Sequence, residues 1–355
     1  MSYIGTKAFG LRIPIIKEGD NLSSIIFETL KNAYYASQYK PKEHDIIGIT
    51  ESVVARALGK YITIDDIVKD LEHKYPNRGC VFVYNPIYSR NRFSIILRGI
   101  ARYFNKVIIV NTDIDEVGNH IEHPITKVNY KDLYKDIIES EGAEFAWRKY
   151  VSFSFEDNKQ VIDCTLHPEF RNIKIDFPKL TYCLKDICNN ISEWGLLGSN
   201  KVNEETLKLF PDSKDKEIIN ELQSLVKEKF LLKNIDVMIY GDGCYKDASS
   251  GIWEFADPVV SPAYTDGLNG TPSELKLKYL ADDEFGNLKG ETLNKAIKER
   301  INNKNVVQGN METQGTTPRK YTDLLGSLMD LISGSGDKGT PVVIVQDYFK
   351  NYAMD

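Results

Sequence analysis

Short apolar runs alternate with stretches in which an apolar residue recurs every third or fourth position, and this rhythm dominates the first third of the chain. The run Asp45-Ile46-Ile47-Gly48-Ile49-Thr50 is too short for a helix and predicts a buried strand. Residues 79–84 (Gly79-Cys80-Val81-Phe82-Val83-Tyr84) and 106–110 predict two more, and residues 7–13 read as extended. Leu22, Ile25, Ile26 and Leu30 share one helical face, so residues 22–35 predict a helix, with Asn21 placed to cap it. Further helices are predicted from about Glu51 and over residues 93–103. Strands spaced by helices in this way build an α/β layer.

Between about His120 and Leu232 the periodicity weakens and Lys, Asn and Glu become frequent. Only residues 131–139 and 215–228 read as amphipathic helices there, so the stretch reads as an insertion or second subdomain. Strong signals return afterwards: a strand over 234–240, helices over 288–302 and 318–332, and a strand over 341–345. The expected organisation is therefore an N-terminal α/β part (1–125), a divergent middle subdomain (126–232) and a C-terminal part (233–355). The expected fold class is α/β (α+β) with a mixed sheet.

Composition narrows the function classes. The 355 residues carry 45 Lys and Arg against 51 Asp and Glu, a net charge of −6 that argues against a nucleic-acid partner. No apolar run approaches the roughly 18 residues of a membrane span, and the first residues lack the basic and apolar regions of a signal peptide. Five cysteines without a CxxC pair read as free thiols of a cytoplasmic protein, and His120 and His123 alone do not make a metal site.

Gly, Asp and basic residues concentrate at the ends of the predicted elements, where α/β folds place their ligands. Pro14-Ile15-Ile16-Lys17-Glu18-Gly19-Asp20 joins a strand to a helix, and a helix start beside a lysine can hold phosphate. Arg90 and Arg92, followed by Arg98 and Arg102 on one helix face, could grip carboxylates or phosphates. Asn111-Thr112-Asp113-Ile114-Asp115-Glu116 follows a strand with three acidic groups, a donor set suited to Mg²⁺ or Mn²⁺. Tyr240-Gly241-Asp242-Gly243 ends another strand. Gly334-Ser335-Gly336-Asp337-Lys338-Gly339-Thr340-Pro341 lies between a helix and a strand. This order is not that of a P-loop, yet a Gly-rich loop still presents backbone N–H groups to phosphates.

Taken together, these segments resemble the γ-glutamyl ligases of coenzyme F420 biosynthesis. Residues 13–22 look like the family's opening segment, and residues 45–57 resemble its following strand-to-helix segment. Residues 329–343 resemble its Gly-rich ending. Asn111-Thr112-Asp113-Ile114-Asp115 and Val237-Met238-Ile239-Tyr240-Gly241-Asp242 resemble its two acidic blocks. Gly241 stands where the family has Asp, with Asp242 next to it. Ser335 stands where a metal ligand is expected, with Asp337 two residues on. The resemblance implies a mixed-sheet, homodimeric enzyme that uses GTP (or ATP) with Mn²⁺ or Mg²⁺. It would activate an acceptor carboxylate as an acyl phosphate and join it to L-glutamate. On that implication Asp115 and Asp242 are catalytic metal ligands and Asp337 is a third. Pro14, Ile15, Ile16, Lys17, Thr50, Glu51, Gly334, Gly336 and Gly339 form the nucleotide site. Two alternatives stand beside it: a ligase acting on another acceptor, such as a folate, and a nucleotide- and metal-binding protein without catalysis.

Overall fold

A computed structural model describes residues 3–86, 91–111, 113, 120–122, 127–150, 155–156, 158–165, 176–242, 245–246, 253–254, 259–272, 275–303, 319–334 and 336–354, without the side chains of 91, 92, 242, 245, 246, 253, 254, 259 and 260. In chain order its elements begin with β1 (Lys7–Leu11), α1 (Leu22–Tyr35), β2 (Asp45–Thr50), α2 (Glu51–Ala57), β3 (Tyr61–Thr63), α3 (Ile64–Lys74), β4 (Cys80–Tyr84), α4 (Asn91–Tyr103) and β5 (Lys106–Asn111). They continue with α5 (Tyr130–Ser140), β6 (Glu144–Lys149), β7 (Gln160–Asp163), β8 (Leu180–Cys183), β9 (Asn200–Lys201), β10 (Thr206–Lys208) and α6 (Lys216–Phe230). The last are β11 (Ile235–Asp242), β12 (Tyr245–Lys246), β13 (Trp253–Glu254), β14 (Val259–Val260), α7 (Leu277–Tyr279), α8 (Gly290–Asn302), α9 (Tyr321–Ser333) and β15 (Val342–Gln346). The α/β expectation holds.

The chain divides into two compact units, one made of residues 1–54 and 213–355, the other of residues 55–212. These limits differ from the boundaries at 125/126 and 232/233 expected from composition. The reason is strand pairing: β4 and β5, which read as part of the N-terminal layer, hydrogen-bond to β7 and β6 of the middle region.

The first unit is built on a mixed five-stranded sheet in the order β1-β15-β2-β11-β14. β2 and β11 run parallel, and the other pairs are antiparallel. Side chains alternate across a strand, so each buried strand feeds two cores. Ile46, Met238, Tyr240, Val343 and Val345 pack with Leu325 and Met329 of α9. The alternate residues Ile47, Ile49, Val237, Ile239 and Ile344 are equally buried, and α6 lies against β11 and α1. Gly48 permits the close approach of α9, because a Cβ there would come within 2.1 Å of Met329 Sδ.

The second unit holds an all-parallel sheet in the order β6-β5-β4-β7-β8. Its helical face buries Val81, Val83, Val107, Ile109 and Ile162 with residues of α3, α4 and α5. Its other face is aromatic: Phe82 and Tyr84 meet Phe155, Tyr150 and Phe177 edge to face. Parallel neighbours need crossover connections, and α4 and α5 provide two of them. Arg98 and Arg102 are not a ligand grip here. Both Nε atoms donate to the Glu141 carboxylate at 2.6 Å, which ties α4 to the end of α5. Cys80, Cys164, Cys183 and Cys188 are free thiols, while Cys244 lies outside the described residues.

Candidate functional site

Strand register decides what meets at each end of the first unit's sheet. Leu11 of β1 pairs with Val342 of β15, Val342 pairs with Ile49 of β2, and Thr50 pairs with Tyr240 of β11. The last residues of β1, β2 and β11 and the first of β15 therefore lie along one edge. From this edge leave the 12–21 turn, the start of α2 at Glu51, and Asp242; into it runs the Gly-rich loop 334–341. Four segments that the sequence singled out separately are gathered at one end of one sheet, though the first and the last stand more than three hundred residues apart.

Each segment is held from within. In the N-terminal turn Ile16 is buried and anchors the chain, while Ile15 is exposed. Asp20 Oδ2 accepts from the Lys17 N–H at 2.7 Å, Gly19 takes a left-handed φ of 83°, and Asn21 caps α1 by accepting from the Ser24 N–H. Glu51, at 6% exposure, brings a buried carboxylate to the first turn of α2.

The Gly-rich loop is tethered at both of its roots. Gly334 ends α9 with φ 60°, and its N–H donates to the Asp330 carbonyl. At the far root the Pro341 carbonyl accepts from the Thr50 N–H at 2.9 Å, and Thr340 Oγ1 donates to the Ser333 carbonyl at 3.1 Å. Gly10 of β1 leaves room for Thr340, since a Cβ there would approach Thr340 Cβ at 2.7 Å. Between the roots, Gly336–Lys338 forms a 3₁₀ turn with Asp337, Lys338 and Gly339 exposed. Tyr240 is buried beneath: its hydroxyl lies 3.5 Å from the Pro341 carbonyl and also bonds the Ser333 side chain. Burial pushes this phenol well above the usual tyrosine range, so it stays neutral.

One group at this edge escaped the sequence reading. A methyl at Gly334 would meet Lys338 Nζ at 2.5 Å, so the lysine side chain folds back over the loop's first glycine. Its place in a loop already rich in glycine was the available signal.

The remaining candidates fall elsewhere. Asp115 and Arg90 lie outside the described residues, as does the side chain of Arg92, and all three belong by number to the second unit. The side chain of Asp242 is likewise outside; its backbone closes β11 opposite Val259. Among the described residues no three His, Cys, Asp or Glu groups are clustered as metal ligands. The donors at the edge, Glu51, Asp337 and Asp242 by its strand position, are all carboxylates, which fits a hard divalent cation.

A mixed sheet that collects a glycine loop, a capped turn and carboxylates at one edge defines the first unit as a mixed-sheet α/β structure. The family model described as F420-0:gamma-glutamyl ligase matches residues 10–347, and the chain belongs to that family. Its name denotes ligases that form γ-glutamyl bonds, and small-molecule substrates including glutamate follow from it. The match takes in the second unit whole. No curated protein matches the chain, and no described helix is long and apolar enough to cross a membrane.

Proposed function

We propose that the protein joins L-glutamate to the carboxylate of a small acceptor at the expense of GTP or ATP. The acceptor carboxylate attacks the γ-phosphorus, the bond to the nucleoside diphosphate breaks, and an acyl phosphate forms. The glutamate amine then attacks the acyl carbon, inorganic phosphate leaves, and the ammonium proton passes to solvent or a base. The observation that supports this reading is the convergence of four family segments on one sheet edge.

In this reading the exposed backbone of the turn at Gly336, closed by the hydrogen bond from the Gly339 N–H to the Gly336 carbonyl, and the cation of Lys338 receive the transferred phosphates, because such a reaction is helped chiefly by positioning and charge. Pro14, Ile15, Ile16 and Lys17 receive the rest of the nucleotide. Thr50 holds the loop through its hydrogen bond to Pro341. Asp242 and Asp337 are the carboxylates of this edge that would hold Mg²⁺ or Mn²⁺, which would supply charge neutralisation at the transferred phosphoryl, while Asp115 is a metal-ligand candidate on the family resemblance alone. Arg90 and Arg92 are candidates for the carboxylates of glutamate or acceptor. A deazaflavin and a folate are the two acceptor classes to test.

The experiment is phosphate release from GTP and from ATP, with Mn²⁺ or Mg²⁺, L-glutamate and a panel of deazaflavin and folate acceptors, with products weighed by mass spectrometry. Release that requires both acceptor and glutamate, with one glutamyl mass added, is the expected result. Nucleotide binding with no turnover on any acceptor would favour the non-catalytic alternative.

A further inference from the structure

The opposite end of the same sheet carries a cleft of about 790 Å³, a volume in the range of small-molecule pockets. It opens where β2 and β11 begin and β15 ends, so the length of the sheet separates it from the glycine loop. One wall is a polar stripe of α6. Lys216, Asn220, Gln223 and Lys227 recur at the spacing of one helical face, and all four line the cleft. The floor is Asp236 on β11.

Most charges around the cleft are already spent on the protein. Lys216 bonds Asp266 at 3.1 Å, and Lys350 bonds Asp347 at 2.8 Å. Glu43 accepts from the backbone N–H groups of Lys233 and Asn234. Two opposite charges remain. Asp236 is 6% exposed, and its Oδ1 accepts from the Thr265 hydroxyl at 2.7 Å, while Oδ2 has no hydrogen-bond partner among the described residues. Lys227, half-buried on the α6 stripe, has no ion-pair partner among the described residues. The backbone is shaped around the carboxylate as well: a Cβ at Gly267 would fall 2.4 Å from both Asp236 oxygens, so only glycine lets that loop pass over it. A buried carboxylate with an open oxygen is costly unless a donor meets it. A lysine facing the same cleft supplies the complementary charge for an anionic end.

We propose that this cleft is a second binding site, separate from the nucleotide edge, for a small zwitterion of the α-amino-acid type, with the ligand ammonium on Asp236 Oδ2 and its carboxylate on Lys227. Gln223 donates to the Ile235 carbonyl and holds the wall between the two charges. The site does not depend on the ligase reading, since none of its residues lies at the sheet edge where that reaction is placed.

The test is calorimetric titration of the full chain with the common α-amino acids other than L-glutamate, which the proposed reaction would bind elsewhere. The amino acid that binds best is then compared with the amine that lacks its carboxylate and the acid that lacks its amine. The expected result is one equivalent bound, with each truncated analogue at least tenfold weaker, since each forfeits a charge-assisted hydrogen bond. Lys227→Met, a half-exposed change that leaves the core intact, is expected to weaken binding at least tenfold without altering ligase turnover. Asp236→Asn is expected to weaken it similarly if the variant folds. No binding by any amino acid, equal binding of the amine alone, or unchanged affinity in Lys227→Met would each overturn the proposal.

Discussion

The two ends of the first unit's sheet are made from the same strands, yet they differ in how their polar groups are used. At the glycine-loop end the chain is turned and tethered through its own backbone, at Ser333 and Pro341, and Gly336–Gly339 between the tethers is exposed. At the opposite end, side chains rather than backbone line the space, and nearly every charge is neutralised by a neighbour. Backbone cradles suit phosphates, whose several oxygens accept many N–H donors at once. A lined cleft with one spare carboxylate and one spare lysine suits a smaller ligand with one charge of each sign. The comparison teaches that the two ends of one sheet can differ in chemistry, one made of turned backbone and the other of side chains, although the same strands build both.

The largest effect that separates the two ends is expected from Asp242→Asn. Turnover should fall on the order of 10²-fold or more in the phosphate-release assay, while amino-acid affinity at the cleft stays as in the parent. A parent-like rate in this variant would remove Asp242 from the reaction. Next in size is the packing that supports both ends. Gly48→Val drives a side chain into Met329, and a stability loss of about 1–3 kcal/mol is expected by denaturant titration. Glu141→Gln should cost the second unit about 1–2 kcal/mol, because the half-exposed Arg98 and Arg102 lose a shared carboxylate. That carboxyl sits below the usual glutamate range: burial pulls it up, but the hydrogen bonds from Arg102 and Arg98 outweigh it.

The smallest effect is a slope. Asp45, wholly buried at the start of β2, is raised above its ordinary 3.8 by desolvation, against hydrogen bonds from Gln346, Tyr39 and the Lys42 N–H. A carboxyl raised in the folded state binds more protons there than in the unfolded chain. Its contribution is therefore greatest at low pH and shrinks as pH rises from 3.8 through the raised value. Asp45→Asn should lose this decline, seen as a flatter stability profile above pH 4 by thermal melts. An unchanged slope would assign the pH dependence to other groups, with Asp323, also raised by burial, the next to test.

Elements whose apolar pattern is local were legible from the chain. The Asn21 cap, the 45–50 strand and the 341–345 strand stand where the pattern put them, within a residue or two. Helix α3 was missed although it carries a signal, the Thr63-x-x-Asp66 capping box, in which each residue satisfies the other's backbone N–H. Strands β6, β7 and β8 were hidden for a physical reason. β6 and β7 pair with β5 and β4, about 40 and 80 residues upstream, and β8 joins only through β7, so nothing in their own sequence shows the sheet they complete. The glycine-loop edge was readable as separate turns, but only register shows that they meet. The cleft was not readable at all, because Asp236 and Lys227 belong to no motif and face the same space only once β11 and α6 have packed.

The most direct test of this division between the two ends is amide hydrogen exchange of the full chain with and without GDP and Mg²⁺. The account predicts slower exchange in residues 12–20, at Thr50 and Glu51, and across 336–340, with no change in 216–227 or at the start of β11. Protection confined to α6 and the start of β11, or bound GDP that protects none of the glycine-loop amides, would contradict it.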